Sequence, residues 1–319
     1  MSKQIFVITE HLRGKIDDVT YEMLGKGKEL AAASGGELVA VLLGHNQKEL
    51  ANEFGAASKV IYADHEKLAD FNPWMYAKIV SEIVAQQKPR VVLTAYSSMG
   101  IEVAPAVSVS QGISLTAYVS DLSIQDLKVS VVSQIYGGKM NIEAVDENES
   151  MIACVLPGSF PADAGKATGS PAVEDFAVSG LDESKIQFKK LIAPDKSDVD
   201  ITQSEILVSV GRGIQSNDNL PMVEELATKL GGAVSCSRPI VDSKWMPKTR
   251  QVGKSGLKVK PKCYLALGIS GAPEHIEGMK EADLVIAVNT DPKAPIFDYA
   301  HYGVVGDLFD IIPALSAKL

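Results

Sequence analysis

The chain has 319 residues, of which 46% are hydrophobic and 22% are charged. These values are typical of an ordinary globular protein and exclude a disordered or collagen-like chain. The formal net charge of -9 provides no broad basic field for binding phosphates, so nucleic acid is not an expected partner.

The amino terminus, the apolar runs and the cysteines indicate neither export, nor membrane insertion, nor a metal centre. The first ten residues run directly into a strand-like segment without the features of an export signal. No uninterrupted apolar run approaches the roughly 20 residues that cross a bilayer, so membrane insertion is not expected. Cys154, Cys236 and Cys263 are widely separated, and they form no C-x-x-C pair typical of zinc or iron-sulfur sites. We therefore expect a cytoplasmic protein without a metal centre.

The first half alternates apolar runs with amphipathic stretches, which is the pattern of strands and helices in a mainly parallel α/β sheet. Helices are predicted at 19–34, 48–54 and 73–86, and the last begins with Pro73, which the first turn of a helix tolerates. Strands are predicted at 4–9, 37–43, 59–62 and 90–95.

Beyond Gly112 the pattern changes to alternating or β-branched runs. These predict strands at 119–124, 129–135 and 151–156, with a turn at 136–139. Small residues, glycine and proline dominate 157–171, and 174–200 mixes charge with short apolar runs. We place the domain boundary near Thr202, so that residues 1–201 form one domain ending in a linker and residues 202–319 form the other.

The second half begins a new α/β pattern. Helices are predicted at about 219–230, 272–280 and 307–315. Strands are predicted at 205–210, 263–268 and 284–289. This order indicates a Rossmann-like domain, in which the loops at the strand ends are the natural ligand site.

Four loop segments of the second half combine glycine or serine with polar side chains. They are 210–213, 235–239, 251–256 and 268–275. Glycine lets backbone N–H groups approach a phosphate closely, and a following helix adds the partial positive charge of its N-terminus. The Gly211-Arg212-Gly213 turn is weak evidence on its own, because the complete G-x-G-x-x-G pattern of nicotinamide-binding folds is absent.

Taken in order, the four loops resemble the carboxy-terminal domain of electron transfer flavoprotein alpha subunits. The resemblance continues through 288–297 and 298–309 and covers almost all of 204–319. The first domain resembles this family more loosely, through 99–105 and 136–138.

The resemblance implies one FAD bound mainly by this chain. It also implies a smaller beta subunit that completes a heterodimer and covers part of the flavin, with acyl-CoA or other flavin dehydrogenases as electron partners. The cofactor-binding residues that it implies are Arg212, Ser237, Arg238, Val252, Gly253, Lys254, Ser255, Ser270, Gly271, Ala272, Pro273, Glu274, His275, Asn289, Asp307 and Leu308.

Chemical character agrees with this assignment, because a flavin that accepts an electron can become an anion and then favours nearby cations or hydrogen-bond donors. Arg238 could supply a permanent charge beside the ring. His275 could donate toward the pyrimidine carbonyl side, and Ser255 toward the central nitrogen. Without the resemblance, these three would be interpreted as a salt-bridge residue, a helix-end histidine and a turn residue, respectively.

Three places depart from the common family pattern. Lys254 stands where glutamine is usual, and Pro273-Glu274 stands where Ile-Gln is usual. Lys254 and Glu274 could pair and cancel, or they could shift the flavin potential separately. In the first domain, Ile101-Glu102 replaces the usual Arg-Asp, so no family role is transferred to that segment.

Other functions are less well supported. An NAD-dependent oxidoreductase needs the G-x-G-x-x-G turn, an acidic residue about 20 positions later and a substrate acid or base, and the turn is missing. A subunit that has lost its cofactor would not be expected to retain Arg212, Arg238, Ser255, His275, Asn289 and Asp307. Whether the complex is a shuttle or an electron-bifurcating complex stays open, because the distinguishing second flavin or AMP would lie in the beta subunit.

Overall fold

The computed structural model describes residues 2–136, 138–167, 169–192 and 199–319, without the side chain at position 183. The chain divides into two compact units, Met1–Lys190 and Leu191–Leu319. Part of the turn predicted at 136–139 and part of the expected linker lie outside the described residues. The domain boundary near Thr202 stays a prediction.

The first unit is an α/β unit. Its α-helices are α1 (Asp18–Ser34), α2 (Pro73–Gln87) and α3 (Gly100–Gln111). Its strands are β1 (Ile5–Ile8), β2 (His11–Leu12), β3 (Lys15–Ile16), β4 (Leu38–Gly44), β5 (Lys59–Asp64), β6 (Val91–Ala95), β7 (Ser114–Gln125), β8 (Lys128–Ile135), β9 (Met140–Asp146), β10 (Met151–Val155) and β11 (Ala172–Phe176).

Nine of these strands form one sheet in the order β11-β5-β4-β1-β6-β10-β7-β8-β9. Neighbouring strands from β11 to β7 are parallel, and β7, β8 and β9 pair antiparallel. Helix α1 packs on one face, while α2 and α3 pack on the other. Because both faces of the central strands are covered, β1 and β4 are continuous apolar runs without alternation.

Helices α1 and α2 begin at side chains that cap their first turns. Asp17 accepts a hydrogen bond from the Val19 backbone N–H at the start of α1, and Asn72 accepts one from Met75 N–H at the start of α2. Helix α1 ends at Gly35, whose φ of 63° favours glycine. These caps explain why both helices were predictable to within a residue.

The predicted strands of this unit are all present, and the helix predicted at 48–54 is present as a 3-10 helix, Lys48–Phe54. Three elements were missed beside the small hairpin β2–β3. Helix α3 carries Pro105 and shows little apolar periodicity, β9 is exposed on almost its whole length, and β11 is a short, mostly exposed strand at the sheet edge. Such segments lack the periodic burial on which sequence patterns depend.

Arg90, fully buried just before β6, connects this strand to the antiparallel part of the sheet. Its Nε donates to the Leu127 carbonyl oxygen at 2.7 Å, and its Nη2 donates to the Asp146 carbonyl oxygen at 2.7 Å. Its Nη1 also lies 3.3 Å from Asp146 Oδ1. The guanidinium is therefore paired and hydrogen-bonded, as a buried charge must be.

The second unit contains a five-stranded parallel sheet. Its helices are α4 (Leu220–Lys229), α5 (Arg238–Asp242), α6 (Pro273–Ile276) and α7 (Leu308–Ser316). Its strands are β12 (Ile206–Val210), β13 (Ala233–Cys236), β14 (Cys263–Leu267), β15 (Val285–Asn289) and β16 (Tyr302–Val305).

The strand order of this unit places the first strand, β12, between the second and the third. This is the 2-1-3-4-5 order of doubly wound sheets, whose order reverses between the first and third strands. Helices α4 and α7 pack on one face, and α6 packs on the other. The α/β fold class with two units is confirmed.

The sequence pattern missed two short strands of this unit, β13 and β16. The helix predicted at 272–280 is shorter than expected and covers Pro273–Ile276. Among the described residues of the whole chain, no helix combines the length and apolar character required to cross a bilayer.

Candidate functional site

All five parallel strands of the second unit end at one cavity of about 770 Å³. The loops that follow the five strands each contribute residues to its wall. In doubly wound sheets, ligands bind outside the carboxyl ends of the strands, at the point where the strand order reverses. The cavity occupies that position, beside the loops that follow β12 and β14.

Fifteen of the sixteen residues that the resemblance assigns to FAD line this cavity. They are Arg212, Ser237, Arg238, Val252, Gly253, Lys254, Ser255, Ser270, Gly271, Ala272, Glu274, His275, Asn289, Asp307 and Leu308. Pro273 belongs to the same loop as its neighbours but does not line the wall. Contact between these residues and a cofactor stays a prediction.

Several residues of the wall lie outside the predicted set. Asp242 could have been found from its spacing, because it follows Arg238 by four residues on a short helix and such pairs face each other. Gln215 carries no comparable signal, since its position depends on a φ of 66° at the end of a 3-10 segment. The other such residues include Pro239, Gln251, Thr290 and Gly306.

Glycines allow the loops after β12 and β14 to touch. A Cβ on Gly211 would lie 2.3 Å from the carbonyl oxygen of Gly268, and a Cβ on Gly213 would lie 2.6 Å from Gly268 Cα. The N–H of Gly211 donates to Leu267 O at 2.9 Å, and the N–H of Gly213 donates to Gly268 O at 3.1 Å. These two N–H groups are therefore committed within the protein, and the glycines serve loop packing where phosphate approach was expected.

His275 is the buried titratable residue of the wall, with 6% of its surface exposed. Its Nε2 shares a 2.9 Å hydrogen bond with the Tyr264 hydroxyl, while Nδ1 has no hydrogen-bond partner in the described structure. Burial lowers the pKa of His275 to about 4, against a smaller opposing effect of the Val252 backbone. The imidazole is therefore neutral at neutral pH, with one ring nitrogen left for a ligand.

The segment from Gln251 to Ser255 forms another part of the wall. The Gln251 side-chain Nε2 donates to Ser255 Oγ at 2.8 Å, and the Lys254 backbone N–H donates to the Glu274 carbonyl oxygen at 2.7 Å. Lys254 Nζ lies 4.0 Å from Glu277 Oε2. Glu277 is therefore a carboxylate that the structure places beside the Lys254 charge, while the Glu274 considered from the sequence meets Lys254 through its backbone carbonyl.

Arg238 is the first residue of α5, and Ser237 precedes it as the N-cap residue. Its Nε lies 3.5 Å from Asp242 Oδ2, and 69% of its side chain is exposed. Exposed ion pairs of this kind contribute little, between 0 and about 1 kcal/mol. The guanidinium can therefore exchange Asp242 for an anionic group of a ligand at small cost.

Asn289 and Asp307 both organise backbone at the rim of the cavity. Asn289 Nδ2 donates to Ile269 O at 2.9 Å, and its Oδ1 accepts from Asp291 N–H at 2.9 Å. Asp307 Oδ1 caps α7 by accepting from Phe309 N–H at 2.9 Å. Asn289 thus ties the loops after β14 and β15 together, so that a loss of ligand binding on its mutation could arise through loop geometry.

The chemistry of the wall fits a flavin dinucleotide. The unpartnered Nδ1 of His275 is a buried polar atom that a ligand can satisfy. Arg212 and Arg238 provide cations for a diphosphate or an anionic ring, and the carboxylate of Asp307 can accept hydrogen bonds from ribose hydroxyls. Among the described residues, no group of three or more His, Cys, Asp or Glu is arranged to hold a metal ion.

Each half of the chain matches a family model built from known proteins. Residues 5–181 match the family model of the electron transfer flavoprotein domain. Residues 200–280 match the model of the electron transfer flavoprotein FAD-binding domain.

Relatives match along the full chain. The electron transfer flavoprotein subunit alpha of Clostridium acetobutylicum is 34% identical, over 99% of this chain and 97% of its own length. Subunit LctC of the lactate dehydrogenase (NAD(+),ferredoxin) of Acetobacterium woodii is 35% identical, over 99% of this chain and 76% of its own length. The acryloyl-CoA reductase electron transfer subunit beta of Anaerotignum propionicum is 34% identical, over 98% and 94%. The chain therefore belongs to the electron transfer flavoprotein alpha-subunit family, and its second half carries that family's FAD-binding domain.

Proposed function

We propose that this chain binds FAD in the cavity of the second unit and shuttles electrons from dehydrogenases to a downstream redox acceptor. The observation that carries the proposal is the convergence of fifteen of the implied FAD-binding residues on one cavity at the carboxyl ends of the sheet. The family match supports the identity of the cofactor. When bound, FAD supplies the redox chemistry, and the protein supplies orientation and electrostatics.

The residues of the wall have distinct roles in this proposal. Arg238 provides a positive charge that favours the reduced ring, and Arg212 contributes a second cation on the neighbouring loop. His275 offers its unpartnered ring nitrogen to the cofactor, and Ser255 offers a hydroxyl. Asn289 keeps two loops in register, while Asp307 accepts hydrogen bonds from the nucleotide portion. None of these roles requires a proton to leave the protein, as is appropriate for an electron carrier.

The working assembly is proposed to be a heterodimer with an electron transfer flavoprotein beta subunit. This follows from membership of the alpha-subunit family. Acyl-CoA dehydrogenases or other flavin dehydrogenases are the proposed donors. We also propose a cytoplasmic location, since no disulfide joins Cys154, Cys236 or Cys263 in the described chain, as is typical of reducing compartments. Cell fractionation tests that location.

An electron-bifurcating complex is the second candidate function. The relative from Acetobacterium woodii is a subunit of an enzyme whose name includes both NAD(+) and ferredoxin, so two redox partners are named for one homologue. The first candidate requires one FAD per heterodimer, with AMP in the beta subunit. The second requires two FAD molecules.

Cofactor analysis of the purified heterodimer tests the proposal. We expect a yellow complex whose extracted nucleotides include FAD, and the ratio of FAD to AMP decides between the two candidates. The chain expressed alone should hold FAD poorly, because the partner is expected to cover part of the flavin. A heterodimer that shows no flavin absorbance after incubation with FAD would overturn the proposed function.

A further inference from the structure

Tyr264 lies in β14, the central strand of the sheet, and is completely buried. Its hydroxyl donates to Ser209 Oγ on the adjacent β12 at 2.7 Å. The same hydroxyl shares the 2.9 Å hydrogen bond with His275 Nε2. Ser209 is also fully buried, so a three-residue polar chain runs from the interior of the sheet to the wall of the cavity.

This buried chain has a cost that needs an explanation. A Phe side chain at position 264 would fill nearly the same volume without placing a hydroxyl among apolar neighbours, and a buried polar group stabilises a fold only when its hydrogen bonds are complete. Burial also raises the pKa of Tyr264 above its ordinary value. The hydroxyl therefore stays protonated and acts as a fixed neutral hydrogen-bonding group.

The consequence falls on His275, which sits on the short helix α6. With Nε2 held by Tyr264, rotation of the imidazole about its χ2 axis would break a buried hydrogen bond. The partner of one ring nitrogen also determines which nitrogen of a neutral histidine carries the proton. The Tyr264 hydroxyl thus sets the orientation and tautomer of the ring through Nε2, while Nδ1 has no partner in the described structure.

We propose that Tyr264 is a positioning residue for the cofactor: through His275 Nε2 it fixes the orientation and tautomer of the imidazole, and thereby sets the hydrogen bond that Nδ1 makes to FAD and the potential of the flavin. This inference rests on the proposed function. Ser209 supports it by holding the tyrosine hydroxyl in place.

The decisive variant is Tyr264→Phe in the heterodimer, compared with His275→Asn and with the double variant. Loss of one buried hydrogen bond should weaken FAD binding about fivefold. The midpoint potential should shift part of the way toward that of His275→Asn. In the His275→Asn background, Tyr264→Phe should add little, because its effect passes through the histidine. Tyr299→Phe, an exposed tyrosine of the same unit, is the matched control and should leave both quantities unchanged.

A second measurement avoids reliance on a variant that could fail to fold. Nitrogen-15 spectra of the histidine-labelled wild-type heterodimer, recorded without FAD, should show His275 as one neutral tautomer across neutral pH. Ser209→Ala should admit the second tautomer, because the Tyr264 hydroxyl then lacks the Ser209 acceptor for its proton and can donate it to His275 Nε2. A mixture of tautomers in the wild type would overturn the inference.

The outcomes separate this inference from the proposed function. If the wild type binds FAD but Tyr264→Phe leaves affinity and potential unchanged, the positioning role is wrong and the flavin assignment stands. Additive effects of Tyr264→Phe and His275→Asn would likewise contradict it, because they would indicate a general packing effect. If the wild-type heterodimer binds no FAD, the proposed function itself fails.

Discussion

The Ser97 hydroxyl donates a 2.7 Å hydrogen bond to Glu10 Oε1 and so connects the loop after β1 with the loop before α3. Ser97 Oγ also accepts from the N–H of Gly100 at 2.9 Å. Glu10 is only 6% exposed. Burial raises its pKa to about 7, although the Ser97 hydrogen bond lowers it in part. This carboxyl lies where the strand order of the first sheet reverses, between β1 and β6.

We predict that Glu10→Gln removes a pH dependence of stability. The folded-state pKa of about 7 exceeds the unfolded value, so the stabilising effect of proton binding is complete below about pH 4.5 and is lost as the pH rises through about 7. As the pH rises between those limits, the free energy of unfolding of Glu10→Gln should increase relative to that of the wild type by on the order of 1–3 kcal/mol. Urea unfolding of the full chain measures this. Glu102→Gln, on the exposed side of α3, is the control, and equal pH slopes for Glu10→Gln and wild type would contradict the prediction.

His275 should give the opposite dependence in the second unit. Its pKa is lowered to about 4, so the folded chain binds fewer protons, and stability is complete above the unfolded pKa of about 6.5 and declines as the pH falls toward 4. His275→Asn should reduce this loss of unfolding free energy at acid pH by on the order of 2–3 kcal/mol. Unfolding followed by hydrogen exchange of peptides from β14 and β15 reports on this unit. An unfolding free energy of His275→Asn that falls with pH as steeply as that of the wild type would contradict the prediction.

Arg90→Ala should be among the most destabilising single changes in the first unit. The substitution leaves the carbonyl groups of Leu127 and Asp146, and the Asp146 carboxylate, without their buried partner. Removing one member of such a buried pair costs about 3–5 kcal/mol. Arg13→Ala is the matched control, because the Arg13–Asp70 pair is exposed and should cost less than about 1 kcal/mol. Similar unfolding midpoints for both variants would show that Arg90 is dispensable.

Much of the candidate site could be predicted from the sequence because its residues follow strands. Arg212 and Asn289 stand at or just after the end of a predicted parallel strand, and parallel strands end at one edge of the sheet. Arg238 follows β13, which the sequence pattern missed, and was assigned through the family resemblance. The order of these loops along the chain therefore implied their convergence in space.

Other features depend on contacts that no spacing encodes. Glu277 lies beside Lys254 because the segment after Val252 packs against α6, and sequence proximity gave no reason to prefer it over Glu274. The hydrogen bond between Tyr264 and His275 joins a strand to a helix that begins several residues later. Strand β9 was not predicted for another reason: it is exposed on nearly all its length and lacks the alternation of a half-buried strand.

Arg238→Ala should make the bound flavin harder to reduce, because a positive charge beside the ring favours added negative charge. The side chain is 69% exposed, so solvent screening limits the effect to on the order of 1 kcal/mol, or roughly 40 mV for one electron. Spectroelectrochemical titration of the heterodimer measures the shift. Lys244→Ala, outside the cavity wall, is the control for a general charge effect. An unchanged potential in Arg238→Ala would mean that this guanidinium lies away from the ring.

The charges around Lys254 allow a final prediction in the form of two double-mutant cycles. Lys254→Gln should lower the flavin potential, and Glu277→Gln should raise it, each by roughly 20–40 mV, since partly exposed charges contribute on the order of 0.5–1 kcal/mol. Lys254 Nζ lies 4.0 Å from Glu277 Oε2, so the effects of these two substitutions should be coupled. Lys254 and Glu274 meet instead through a backbone hydrogen bond, so the effects of Lys254→Gln and Glu274→Gln on the flavin potential should be additive.

Coupling of Lys254 with Glu274, together with additivity with Glu277, would show that FAD binding rearranges the pair. Loss of FAD from the single variants, with the potential of the retained flavin unaltered, would mean that these side chains hold the loop and do not tune the cofactor.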